Sequence, residues 1–176
     1  IKSNHLGDET MKILVVSDTH GETIQFQSVL DKHKDADMKI HCGDSELKVD
    51  DPLLSGFYVV QGNCDKREMF QNEQVVMFEN MNIFITHGHL YKVKQTLLPI
   101  SLRAKEIEAK IVCFGHSHRL GIEEREGMIF LNPGSLNFPR GRSEGTYVII
   151  DVKENEFEIT CWSAEHTRLC CYTFQR

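Results

Sequence analysis

The 176-residue chain, with 40% hydrophobic and 26% charged residues, suits one globular domain with a real buried core. Its formal charge of −6 argues against a general nucleic-acid binder, which carries a basic face, and no run approaches the roughly 18 apolar residues of a membrane span. Six scattered cysteines (Cys42, Cys64, Cys113, Cys161, Cys170, Cys171) without a signal-peptide pattern read as reduced thiols, so the expected location is the cytoplasm and no membrane partner is expected.

The opening residues 1–10, IKSNHLGDET, lack the periodicity of the segments after them. They are expected to be a leader left by expression or a short native arm, with residues 11–176 as the single domain, and His5 is not expected to ligate anything. MKILVVSDTHG then predicts a buried strand over Lys12–Ser17 that ends in a polar turn. Ile24, Phe26, Val29 and Leu30 recur at roughly helical spacing and predict a helix over Glu22–His33. MKIHCGD is a second strand stopped by Gly43, residues 45–55 are a connection or short helix, and GFYVVQGN is a third strand ending on Gly62 and Asn63. QVVMFENMNIFITHGH predicts a hairpin turning at Glu79–Asn82. A helix over about Lys94–Glu108 follows, with Pro99 against its regularity, and AKIVCFGHSH is another buried strand that runs into a histidine pair. From Gly121 the chain is β-rich, with turn signals at Glu126-Gly127, Glu154-Asn155 and Ala164-Glu165. This order predicts an α/β fold of two packed mixed β-sheets flanked by helices, an α-β-β-α sandwich.

Chemistry gathers where the strands stop. Asp18 and His20 follow the first strand, Asp44 the second, Asn63 the third, His87 the hairpin, and His116 and His118 the next strand. In open α/β sheets ligands bind beyond the carboxyl ends of strands, so these residues are expected at one edge. A lone histidine or aspartate at a strand end is usually a cap or a hydrogen-bonded turn residue, and His33, His41 and His166 are read that way. Seven ligand-type side chains on five segments favour a metal site.

With DTH at 18–20, GD at 43–44, GN at 62–63, HG at 87–88 and GHSH at 115–118, the chain resembles the calcineurin-like metallophosphoesterases. It is most similar to the small bacterial and archaeal phosphodiesterases, which often carry GNCD and NPGS where this chain has residues 62–65 and 132–135. The resemblance implies one metal held by Asp18, His20 and His118, another by Asn63, His87 and His116, and Asp44 bridging them. It also implies catalytic roles for Asp44, His87 and His116, with His89 behind the ligands or touching substrate. The implied reaction is hydrolysis of a small phosphate ester, a diester rather than a monoester, by a metal-bridging hydroxide. Imidazole, carboxylate and amide oxygen suit Mn, the first expectation, with Ni, Fe, Co or Zn as alternatives. Two divalent ions (+4) against Asp18 and Asp44 (−2) leave +2, so an acidic chain can still present a cationic pocket to phosphate.

Cys64 stands where many such enzymes have a histidine that protonates the leaving group. It is read as a packed turn residue, as a weak acid or occasional metal ligand, or as a loss that abolishes catalysis; His89, Asp65 or solvent are considered as substitutes. Arg119, Arg140, Arg142 and Asn132 are noted near the site and assigned no role in catalysis. Two rivals remain: a nuclease, and a non-catalytic metal-binding scaffold for protein contacts, since the family resembles the small retromer subunit of eukaryotes. Apolar residues of the C-terminal hairpins, Phe174 among them, allow for a homo-oligomer.

Overall fold

In a strand whose two faces are both apolar, each face needs its own cover, and that requirement builds this molecule. The computed structural model describes residues 10–176; positions 1–9, His5 included, lie outside the described residues. Along the chain run β1 (Met11–Val16), α1 (Ile24–Lys32), β2 (Met38–His41), β3 (Phe57–Val59), β4 (Glu73–Phe78), β5 (Met81–Thr86), α2 (Leu98–Glu106), β6 (Ala109–Cys113), β7 (Leu120–Arg125), β8 (Met128–Pro133), β9 (Thr146–Val152), β10 (Glu156–Ser163) and β11 (Arg168–Gln175). They form a six-stranded sheet ordered β11-β10-β9-β1-β2-β3 and a five-stranded sheet ordered β4-β5-β6-β8-β7. β1, β2 and β3 are mutually parallel, as are β5, β6 and β8, while the other pairings are antiparallel, so both sheets are mixed.

Alternation sorts the side chains into layers. Ile13, Val15 and Ile40 turn inward against Ile83, Ile85, Ile111 and Ile129 of the other sheet. Leu14 and Val16 turn outward and are covered by Phe26 and Val29 of α1. Phe84, Val112 and Phe130 do the same on the second sheet beneath Ile100 and Ala104 of α2. The result is the expected four-layer α-β-β-α sandwich. Among the described residues no helix is long and apolar enough to cross a membrane.

The elements differ from expectation mainly at their ends. α2 begins at Leu98 rather than Lys94, because Pro99 fits the first helical turn, where its missing N–H costs nothing, and Lys92–Gln95 is closed as a turn. α1 starts at Ile24, since the Glu22 amide is already bonded to the Thr19 carbonyl in the preceding turn. The hairpin turn narrows to Glu79-Asn80, at φ 44° and 64°, because Met81 and Asn82 already pair with Phe78 and Met77. Residues 45–55 are a connection with one 3-10 turn at Pro52–Leu54, capped by the Asp51 side chain.

Candidate metal centre

The carboxyl ends that carry the expected ligands belong to both sheets, which meet here, rather than to a single sheet edge. Short backbone bonds lock the ends together. Asp18 N–H donates to Gly43 O (3.0 Å), His20 N–H to Asp44 O (3.0 Å) and Gly115 N–H to His87 O (3.1 Å). Asp18, His20, Asp44, His116 and His118 all adopt left-handed backbone, with φ of 55°, 49°, 53°, 68° and 58°. Aspartate and histidine tolerate that region better than most residues, yet each instance costs about 1 kcal/mol or more, and such strain concentrates at functional sites.

The side chains converge further. Asp18 Oδ2 accepts from Ser17 Oγ (2.6 Å) and His116 N–H (3.1 Å), while its Oδ1 is buried without a hydrogen-bond donor. Around that oxygen stand His118 Nε2 at 3.1 Å and His20 and His87 Nε2 at 3.9 Å each. Asp44 Oδ1 accepts from the Cys64 amide (2.7 Å), and its Oδ2 lies 3.2 Å from His87 Nε2 and 4.0 Å from His20 Nε2. Asn63 Oδ1 is 3.2 Å from His87 Nε2.

The ring tautomers are set by the outer partners. His87 Nδ1 lies 2.7 Å from Cys42 O and His118 Nδ1 2.7 Å from Phe138 O. A carbonyl only accepts, so Nδ1 carries the proton and each neutral ring turns a bare Nε2 inward. Glu46 Oε1, 2.6 Å from His20 Nδ1, sets the third ring the same way. Three imidazole lone pairs, two carboxylates and an amide oxygen thus face one another with no donor among them. This is unfavourable in a buried place unless cations sit there, and outer partners that fix the tautomer are characteristic of metal-ligating histidines. Asp18-His20-His118 and Asp18-Asp44-His87 each have donor atoms within 4.8 Å of one another. The donor set therefore fits borderline divalent ions. Asp18 is common to both groups and Asp44 reaches both His20 and His87, so the geometry gives both carboxylates a place between the groups.

The charges agree. Burial would raise Asp18 and Asp44, but His118 beside Asp18 and His87 beside Asp44 hold both carboxyls below the ordinary range. Burial would lower His87, and the two carboxylates overcome it, so its pKa is raised; Asp18 raises His118. His116 stands beside the two groups, its ring 5.1 Å from that of His87. Burial, assisted by His87 and Lys94, pushes it down to about 4, so at neutral pH the ring is neutral, with one N–H and one bare nitrogen. His89 lies 5.3 Å from the His87 ring, is lowered by burial and by His87, and leaves its buried Nδ1 without a partner.

Two carboxylates organise this arrangement: Glu46, which sequence reasoning missed, and Asp65, which it weighed only as a substitute acid. Asp65 is buried and accepts from the amides of Asp44 (2.9 Å), Gly62 (2.8 Å) and Glu46 (2.7 Å) and from Ser45 Oγ (3.2 Å). With its oxygens so engaged it is no substitute acid for the position of Cys64; it clamps two ligand loops together. Glu46 orients His20. Their only sequence signals are the fixed end of GNCD and a spacing of two from Asp44. Asn132 donates to Gly115 O (2.8 Å) and Ser117 Oγ (3.0 Å), which holds the GHSH loop, and Arg142 lies 3.7 Å from Glu144. His33 and His166 both bond the Tyr147 hydroxyl (2.9 and 3.0 Å), the hydrogen-bonded structural role expected of them.

His41 gives a pH prediction. Its Nδ1 accepts from Gly43 N–H (3.2 Å), so the proton sits on Nε2 and points to Thr19 Oγ1 (3.1 Å). Complete burial pushes it down to about 4, against about 6.5 in the unfolded chain. Between those values the unfolded state binds the extra proton, so stability is full above pH 6.5 and falls as pH drops towards 4, by about 3 kcal/mol. Urea denaturation of metal-free protein across this range should show the loss, and His41→Gln, which keeps one acceptor and one donor, should make it shallower, with His33 and His116, also pushed down to about 4, retaining their share. An unchanged slope would remove His41 as the cause.

Comparison with known proteins places this geometry. Residues 11–155 match the family model described as the calcineurin-like phosphoesterase superfamily domain. The chain is 41% identical over 146 residues to the Bacillus subtilis protein named "Probable metallophosphoesterase YsnB", covering 82% of this chain and 86% of that one. It is 34% identical over 101 residues to the phosphodiesterase YfcE of Escherichia coli, covering 52% of this chain and 50% of the other. Among solved structures, a Streptococcus pneumoniae protein described as a predicted phosphoesterase superposes with a TM-score of 0.89 at 31% identity, over 97% of this chain and 100% of its own. Vacuolar Protein Sorting 29 of Cryptosporidium parvum shares the fold, with a TM-score of 0.79 at 16% identity over 95% of this chain and 99% of its own.

Proposed function

The chain belongs to the calcineurin-like phosphoesterase superfamily, and from that premise we propose that it hydrolyses small phosphodiesters in the cytoplasm with two divalent ions. Asp18, His20, Asp44, Asn63, His87, His116 and His118 would hold them. The observation that carries this reading is the buried, donorless Asp18 Oδ1 ringed by bare imidazole nitrogens. Mn is the first choice, with Ni, Fe, Co or Zn as alternatives, and such ions supply an acidified water and neutralise phosphoryl charge. The protein's part is orientation. Cys42 O, Phe138 O and Glu46 keep protons on the outer nitrogens of His87, His118 and His20, so the inner nitrogens stay free to ligate. Asp65 fixes the loops bearing Asp44 and Asn63. His89, its ring 5.3 Å from that of His87, would stand behind the ligands or touch substrate. Preference for diesters is supported by GNCD and by likeness to YfcE.

Cys64 fits a weak acid rather than a lost enzyme. Its backbone amide serves Asp44, and its thiol is pushed up to about 11 by partial burial and by the Asp44 charge, so it keeps its proton at neutral pH. It would give that proton reluctantly, and turnover should then depend steeply on the leaving group. The test is hydrolysis of bis(p-nitrophenyl) phosphate and p-nitrophenyl phosphate by metal-stripped protein with Mn, Ni, Zn or Mg restored separately. Ion-dependent diester hydrolysis is expected, and Cys64→His should raise turnover most on alkoxide leaving groups, by up to ~100-fold. No hydrolysis with two ions bound per chain would favour a scaffold instead.

A further inference from the structure

Ser117, between His116 and His118, is also on the wall of a cavity of about 560 Å³ that continues away from the ligands towards β7. That volume suits a small-molecule group the size of a nucleotide. Its apolar lining is made by Phe114 and Phe130 with Val93 and Leu97. Its walls carry Lys94, Arg119 and Arg140 against one carboxylate, Glu123. In a chain of charge −6, this is a local excess of positive charge. Among the described residues, none of the three cations has a carboxylate within 4.0 Å, whereas Arg103, Arg125, Arg142 and Arg176 each do. Arg140 is tied to the ligand loop through its amide, which donates to His118 O (2.9 Å), and the Arg119 guanidinium reaches the Gly141 turn beside it. The charges are therefore gathered at the cavity by the same loops that carry the ligands.

We infer that this cavity receives the leaving-alcohol side of the substrate, and that this alcohol bears a flat apolar ring together with an anionic group of its own, as a nucleotide does. The apolar lining takes the ring; Arg119 and Arg140, whose planar forks match phosphate oxygens, take the anion. Glu123 can accept from a hydroxyl or amino group on the same moiety. The assignment rests on the hydrolytic reading for its direction, but the cavity's preference can be measured without turnover.

The probes are AMP, adenosine and inorganic phosphate, titrated by calorimetry into metal-free protein. AMP should bind at least about tenfold more tightly than either part alone, since it alone offers both ring and anion. Arg119→Gln with Arg140→Gln should bring AMP to within about threefold of adenosine, while Arg176→Gln, which pairs with Glu79 away from this cavity, should leave the preference intact. Equal binding of AMP and adenosine, or a preference that survives the double substitution, would overturn the assignment. Failure of metal-dependent diester hydrolysis would instead strike the hydrolytic reading, so the two failures are separate results.

Discussion

Asp44→Asn should leave the protein folded and lower metal-dependent hydrolysis by at least about 100-fold, beyond the 10–100-fold that changes behind a metal ligand typically cost. The exchange is isosteric, and the new amide oxygen can still accept from the Cys64 amide that now bonds Asp44 Oδ1 at 2.7 Å. What changes is the other atom. Asp44 Oδ2 lies 3.2 Å from His87 Nε2, and an amide NH2 there would donate into the lone pair that a cation requires. The substitution thus satisfies the site with a hydrogen bond and removes one negative charge at the same stroke. Metal-free stability should fall only in part, because the amide keeps a hydrogen bond to His87 but forfeits the charge attraction that lowers Asp44 and raises His87. Denaturation, ion binding by calorimetry and diester hydrolysis on the same preparation separate these effects. Activity retained within a few-fold, with ions still bound, would take Asp44 out of the centre.

How much of this was legible in the sequence depends on whether a feature is written in side chains or in backbone. The strands were visible because Ile, Val and Leu runs stop abruptly on Asp, His, Asn and Gly, and those stopping points are the proposed ligand positions. Both-face burial of β1 and β6 likewise came from unbroken apolar runs, and from it the four layers. Helix starts were less legible, since Pro99 and the Thr19–Glu22 turn decide them locally. The partners that set the histidine tautomers were invisible: Cys42 and Phe138 act through carbonyls, which any residue would supply at those places. Left-handed backbone at five ligand-type positions has no sequence signature either, because Asp and His only tolerate it. Asp65 was visible in GNCD, but its work became apparent only once β2 and β3 lay side by side and their end loops shared it.

That sharing makes Gly62→Ala the second large effect to expect. A Cβ on Gly62 would stand 2.0 Å from Asp44 Oδ1 and 2.2 Å from the Asp44 amide nitrogen. The Asp44 amide cannot retreat freely, since Asp65 Oδ2 holds it at 2.9 Å and holds the Gly62 amide at 2.8 Å. Relief therefore means parting the two loops by about 1 Å and stretching the clamp, an overpacking cost of roughly 1–3 kcal/mol. A displacement of that size at reacting groups can by itself cost about 100-fold in rate. Gly127→Ala is the control, with φ of 77° at a hairpin tip and nothing within 4 Å of the added carbon. It should cost about 1 kcal/mol from backbone strain alone and leave ion binding and hydrolysis unchanged. Gly62→Ala should reduce all three of stability, ion affinity and turnover. If it lowered stability while ion affinity and turnover stayed at the unsubstituted level, the close approach of these loops would be packing only, and the ligand geometry would not depend on it.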